Sequence, residues 1–134
     1  MVVDTSALLA VLFDEPEAEV FARAIARAEV SRISAANLLE AGIVADCESD
    51  ARTGRQLDAL VADLRLRIEP VTAEQVGIAR QAYLDFGRGN HPAKLNFGDC
   101  FAYALAKARG EPLLFKGDDF GQTDIEVHHF PGHA

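Results

Sequence analysis

The chain has 134 residues, 49% of them hydrophobic, and a formal net charge of −8. One ordinary domain of this length can bury a proper core without disulfide help, and no apolar run approaches the ~18 residues that a bilayer span needs. The acidic balance argues against a general nucleic-acid-binding module, which is normally basic, and does not exclude an enzyme that gathers its own acids around a cation.

The elements follow from periodicity and punctuation. Met1–Asp4 reads as a short buried strand, apolar up to its last residue. Thr5 and Ser6 offer N-cap hydroxyls for a helix over Ala7–Phe13. This apolar opening carries Asp4 and has no basic flank in front, so it is not read as a secretion signal, and a cytoplasmic protein is expected. Glu15–Arg27 is a second helix and Val30–Ile33 a second strand. Ser34 caps a third helix to about Cys47, and Ala51–Leu64 is a fourth. Ile68–Val71 is a third strand, placed at a sheet edge by Pro70. Thr72 caps a fifth helix running to Phe86, followed by a Gly/Pro/Asn-rich loop, Gly87–Asn96. Phe97–Ala108 is a sixth helix closed by Gly110, and Pro112–Phe115 and Ile125–Val127 are the last two strands. Strands alternating with helices predict a three-layer α/β/α fold with a central, mostly parallel sheet of about five short strands. Cys47 and Cys100 have no CxxC spacing and read as buried, reduced thiols. The tail with His128, His129 and His133 reads as a frayed terminus rather than a transition-metal site.

Several acids fall at or beside the carboxyl ends of the strands, where such folds bind ligands. Asp4 interrupts the apolar stretch VVDTSALLAVL where a strand meets a helix. A buried carboxylate there needs a cation or a set of donors, although an N-cap role also explains it. Glu40 lies in an apolar stretch of the third helix. Asp99 lies in the first turn of the sixth, where the helix macrodipole also favours an acid. Asp118 and Asp119 follow the fourth strand. Four carboxylates converging to roughly 5 Å repel by about 3 kcal/mol per pair at an effective dielectric near 20. Summed, that exceeds the ~5–15 kcal/mol of net stability of a small domain. Such a cluster must bind protons or cations, and oxygen ligands without nearby His or Cys point to Mg²⁺ or Mn²⁺.

The segments VVDTSALLAVLFDEPEAEVF, SAANLLEAGIV and LNFGDCFAYALAKARGEPLLFKGDDFGQTDI closely resemble PIN-domain toxins of the VapC type, along nearly the whole chain from Val2 to Val127. The resemblance implies one PIN-like domain over residues 1–134 and a metal-dependent endoribonuclease using Mg²⁺, with Mn²⁺ as a substitute. It places the family's metal-binding and catalytic acids on Asp4, Glu40, Asp99 and the Asp118–Asp119 pair, with Asp118 favoured. Asp124 is a candidate outer acid, and Thr5 and Ser6 are polar residues that orient water or phosphate or simply cap the helix. It further implies structured RNA such as tRNA or rRNA as substrate, with products ending in 5′-phosphate and 3′-hydroxyl. A VapB-type antitoxin would fill the groove, and a homodimer or a toxin–antitoxin hetero-oligomer is expected. Phe13, Phe21, Leu57 and Leu60 are candidate contacts for these partners, and Arg88, Lys94 and Lys116 for RNA phosphates. Two alternatives keep similar architecture: an RNA-processing nuclease outside any toxin–antitoxin pair, and a non-catalytic receiver-like signalling domain. The latter wants adjacent acids after the first strand, where this chain has Asp4-Thr5-Ser6. An Asp-nucleophile phosphatase would want a DxD pair at the same place.

Overall fold

Four short strands form the centre: β1 (Val2–Val3), β2 (Arg32–Ser34), β3 (Arg67–Glu69) and β4 (Leu113–Leu114). In the computed structural model, which describes residues 1–130, they make one parallel sheet in the order β3-β2-β1-β4. Val2 pairs with both Arg32 and Leu113, so β1 lies inside the sheet. Its residues are fully buried, as expected of a parallel strand covered on both faces.

The helices are α1 (Thr5–Leu12), α2 (Ala18–Arg27), α3 (Ala35–Asp46), α4 (Arg52–Asp63), α5 (Ala73–Phe86) and α6 (Phe97–Arg109). Val3, Ile33 and Leu114 pack with Leu8, Phe21, Ile25, Ala41 and Leu57 from α1–α4. Val2 and Leu113 pack with Ala82, Ala102, Tyr103 and Leu105 from α5 and α6. The expected three layers are therefore present, with α1–α4 on one face and α5–α6 on the other. From β1 the chain steps through β2 to β3 on one side, then returns across the sheet to β4 on the other. The connections diverge between β1 and β4, and in open parallel sheets that switch point is where a crevice opens at the carboxyl ends.

The capping residues behave largely as their side chains dictate. Ser34 accepts from Ala36 N, Thr72 from Gln75 N, and Gly110 takes the left-handed φ of 64° that ends α6. The first helix differs from expectation. It begins at Thr5 rather than Ala7, and its N-cap is Asp4, not Thr5 or Ser6, because the Asp4 carboxylate reaches Ser6 N. The expected fifth strand reduces to a single bridge from Leu113 to Val127, with Leu113 N donating to Glu126 O and His128 N to Leu113 O. The turn over Thr123–Asp124 leaves too little extended chain for a ladder. The tail is packed rather than frayed as far as it is described: Phe130 stacks on Phe21 and meets His128 edge-on. His133 lies outside the described residues. Cys100 is buried, but Cys47 is exposed at the end of α3, which corrects the expectation of two buried thiols. Among the described residues no helix is long and apolar enough to cross a membrane.

The β3 edge is held by charge as well as by the ladder. Arg32 donates to Glu111 (3.1 Å) and Glu69 (2.7 Å), and Arg109 to Glu69 (3.1 Å). Burial pushes the Glu69 carboxyl up, but bonds to Arg32 and Arg109 outweigh it and hold the group below the usual range.

Ile33 is fully buried at the centre of the larger cluster. Ile33→Ala should cost about 2–5 kcal/mol and Ile33→Val about 0.5–1.5 kcal/mol. Urea unfolding of both variants checks this: equal losses would mean that the side chain is not packed as described.

Candidate active site

Asp4 is the first residue after β1, and its backbone N still donates to Leu114 O at 2.9 Å, which fixes it against β4. Its side chain is only 4% exposed. Oδ2 accepts from Ser6 N (3.0 Å) and Ser6 Oγ (2.6 Å), while Oδ1 has no hydrogen bond among the described residues. Ser6 Oγ in turn accepts from Lys116 N at 2.9 Å, tying the turn after β4 to the same carboxylate. Burial is the main reason that the Asp4 pKa rises from 3.8 to about 7; the two Ser6 bonds oppose the rise, and the Asp99 and Glu40 charges add to it.

Asp99 stands at the third position of α6. Its Oδ2 accepts from Asn96 N while Asn96 Oδ1 accepts from Asp99 N, a reciprocal capping box. Burial again raises its pKa, opposed by the Asn96 bond and aided by the Asp119 and Glu40 charges. Glu40 lies half-buried on α3, with its carboxylate packed against Gly98. A β-carbon at Gly98 would overlap that carboxylate, coming within 2.8 Å of Cδ and Oε1. The absence of a side chain at Gly98 is what admits Glu40 beside Asp99.

The structure thus brings Asp4, Glu40 and Asp99 within electrostatic reach of one another, with Asp119 within reach of Asp99. Of the adjacent pair, Asp119 and not Asp118 acts on Asp99. Asp119 immediately precedes the 3₁₀ turn Phe120–Gln122, with Asp118 beside it in the same turn. Asp124 stands apart, accepting from Tyr103 Oη and from Lys107 Nζ (3.0 Å), so it anchors the loop onto α6. Thr5 and Ser6 spend their hydroxyls within the protein, Thr5 on Asn37 O and Ser6 on Asp4. Lys116 pairs with Glu15 and Glu17. Arg88 lines a groove between α5 and α6, and Lys94 sits in a turn with φ 54°.

Asn37 escaped the sequence reading. It is fully buried, its Nδ2 donates to Gly98 O at 2.9 Å, and its Oδ1 is a buried polar atom without a partner among the described residues. A neutral amide inside a helix leaves no charge or spacing signal to find it by.

Among the described residues no group of three or more Asp, Glu, His or Cys side chains is already gathered to hold a metal ion. The donor chemistry nonetheless fits a hard divalent cation. The donors are carboxylate oxygens, including Asp4 Oδ1, which has no hydrogen bond among the described residues. The neighbouring Cys100 thiol is pushed up to about 11 by burial and by Asp99, so it stays protonated and offers no thiolate.

Residues 1–126 match the family described as PIN domain. The chain is 54% identical over 127 residues to Ribonuclease VapC28 of Mycobacterium tuberculosis, covering 94% of this chain and 96% of that protein. It is 46% identical to Ribonuclease VapC of Mycolicibacterium smegmatis, covering 96% of this chain and 100% of that protein. Among solved structures, VapBC2 from Rickettsia felis, bound to a DNA fragment from its promoter, aligns with a TM-score of 0.77 at 14% identity over 95% of this chain and 96% of that one. The last likeness concerns the fold alone.

The raised Asp4 pKa has a defined effect on stability. Between about pH 4 and pH 7 the folded chain holds a proton that the unfolded chain releases, so this group's contribution is full below pH 4 and is lost as pH rises to about 7. The loss is at most about 4 kcal/mol. In chelator, Asp4→Asn should match the parent in stability at pH 4 and exceed it increasingly up to pH 7–8. A difference independent of pH in denaturant titrations would refute the burial argument.

Proposed function

We propose, from the premise that this chain belongs to the PIN-domain family and within it to the VapC ribonucleases, that it is the toxin of a toxin–antitoxin pair and cleaves structured RNA such as tRNA or rRNA. Asp4, Glu40, Asp99 and Asp119 would hold Mg²⁺, or Mn²⁺ in its place, with Asp118 in the same turn. Asp4 carries this reading. It is a buried carboxyl at a strand end, and the charged groups that act on it are the like-charged Asp99 and Glu40. A purely structural acid would be matched with a cation, as Glu69 is with Arg32 and Arg109.

A divalent ion, when bound, neutralises the phosphate and eases deprotonation of the attacking water. The chain supplies the rest. Asp4 is fixed through Ser6 and the turn at Lys116, and Asp99 through its capping bond to Asn96. Glu40, half-buried and resting on Gly98, orients the water and takes its proton. The water oxygen bonds to phosphorus, the bond from phosphorus to O3′ breaks, and the departing oxygen takes a proton from solvent. The products end in a 5′-phosphate and a 3′-hydroxyl.

The partner would be a VapB-type antitoxin, together with a second copy of the chain, in the cytoplasm. Phe21 and Leu57, considered as contacts from sequence, are core residues at 4% and 2% exposure. Phe13 is exposed as that reading requires, and further apolar surface for partners lies on α3 and α5–α6, with Leu39, Ile43, Val76, Leu84 and Phe97 exposed. The reading as an RNA-processing nuclease without an antitoxin differs only in this partner.

The test is cleavage of cellular RNA by purified protein with Mg²⁺, followed by mapping of new 5′ ends, alongside expression in a host. The parent should cut at discrete positions and arrest growth. Asp4→Asn, Asp99→Asn or addition of EDTA should each lower the rate on the order of 100-fold or more. Equal cleavage and toxicity from the Asp4→Asn protein would remove the metal-nuclease reading.

A further inference from the structure

Asn37 sits on the helix that carries Glu40 and bonds to the residues beside Asp4 and Asp99. Its own carbonyl accepts from Thr5 Oγ1 at 3.2 Å, and Thr5 adjoins Asp4. Its Nδ2 donates to the carbonyl of Gly98, which adjoins Asp99. It lies three residues before Glu40 on α3, so the two share a helix face. The Glu40 carboxylate rests against the same Gly98 that Asn37 holds. The fully buried Asn37 side chain therefore joins α3 to α6 beside Asp99, while its backbone carbonyl receives α1 beside Asp4.

The amide is a poor choice for packing alone. Its Oδ1 is buried without a hydrogen bond, and an unmade bond of that kind costs stability that an apolar residue of similar size would not. What the amide adds is the donor to Gly98 O. That bond draws the first turn of α6 onto α3 at a point where any side chain on residue 98 would displace Glu40.

We infer that Asn37 is a positioning residue of the acidic site, its carboxamide setting the spacing of Glu40 and Asp99 around Asp4 through the Gly98 carbonyl. The inference rests on the metal-nuclease reading of those acids. Orienting groups behind ligands are commonly worth 10–100-fold in ion affinity or activity, and the same range applies here.

The test compares the parent with Asn37→Leu, which keeps the branched shape and removes the amide, and with Asn37→Ala. Mn²⁺ alone is the probe, titrated by loss of the free-ion electron paramagnetic resonance signal. RNA cleavage and thermal melting without metal are measured on the same samples. The expected result is a Mn²⁺ dissociation constant raised at least 10-fold in both variants, and kcat lowered by a similar factor at unchanged KM. Asn37→Leu should melt at or above the parent temperature. A purely structural residue would show the opposite pattern, with lower melting and unaltered Mn²⁺ affinity per folded molecule. Parent-like affinity and kcat in a folded Asn37→Leu protein would overturn the inference, as would failure of both variants to fold. Failure of the parent itself to bind Mn²⁺ or cut RNA would instead overturn the reading beneath it.

Discussion

The carboxyl group of Asp4 is held out of water at the end of a buried strand, and the arrangement around it follows from that constraint. Burial opposes ionisation, and the Asp99 and Glu40 charges oppose it further. Only the two bonds from Ser6 favour the charged form. A helix N-cap normally resolves such a conflict, since the amide donors and the helix dipole both favour an anion. Here they are outweighed, and the group stays poised near neutrality. The fold tolerates this because Asp4 is fixed from both sides, by β4 through its backbone and by the turn at Lys116 through Ser6.

The location of the cluster is a consequence of strand order. With β1 between β2 and β4, the chain leaves β1 and β4 toward opposite faces, and the space above their ends is left open. Helices from the two faces approach each other there: α3 from the β2 side and α6 from the layer opposite. Two features set how closely they meet. Gly98 has no side chain to hold them apart, and Asn37 bonds across the gap. Acids nearly a hundred residues apart in sequence are neighbours because of this junction.

Much of the frame was legible in the residues themselves. Ser34, Thr72 and Gly110 mark helix ends for local reasons, and the structure keeps them. Asp4 stood out because it breaks an apolar run. What stayed hidden depends on distance in the chain. Lys116 is drawn to Glu15 and Glu17, about a hundred residues away, and Arg32 to Glu69 and Glu111. No local pattern announces either pairing. The choice between Asp118 and Asp119 depends on the turn after β4, where one residue of rotation redirects a carboxylate. Asn37 is the clearest case: uncharged, in mid-helix, and significant only through a carbonyl on another helix.

The same long-range pairs bear on how an acidic chain meets a polyanion. Many of its cations are already engaged: Arg23 with Glu19, Arg32 and Arg109 with Glu69, Lys107 with Asp124, and Lys116 with Glu15 and Glu17. Arg80 and Arg88, by contrast, line the groove between α5 and α6, together with Asn96 and Phe97 at the start of the helix that carries Asp99. That groove also presents aromatic surface at Phe97, which is 79% exposed. Approach over the Lys116 turn would meet a cation already neutralised. With a net charge of −8, the chain has little general attraction for a polyanion, so local arrangement of its cations matters more than their number.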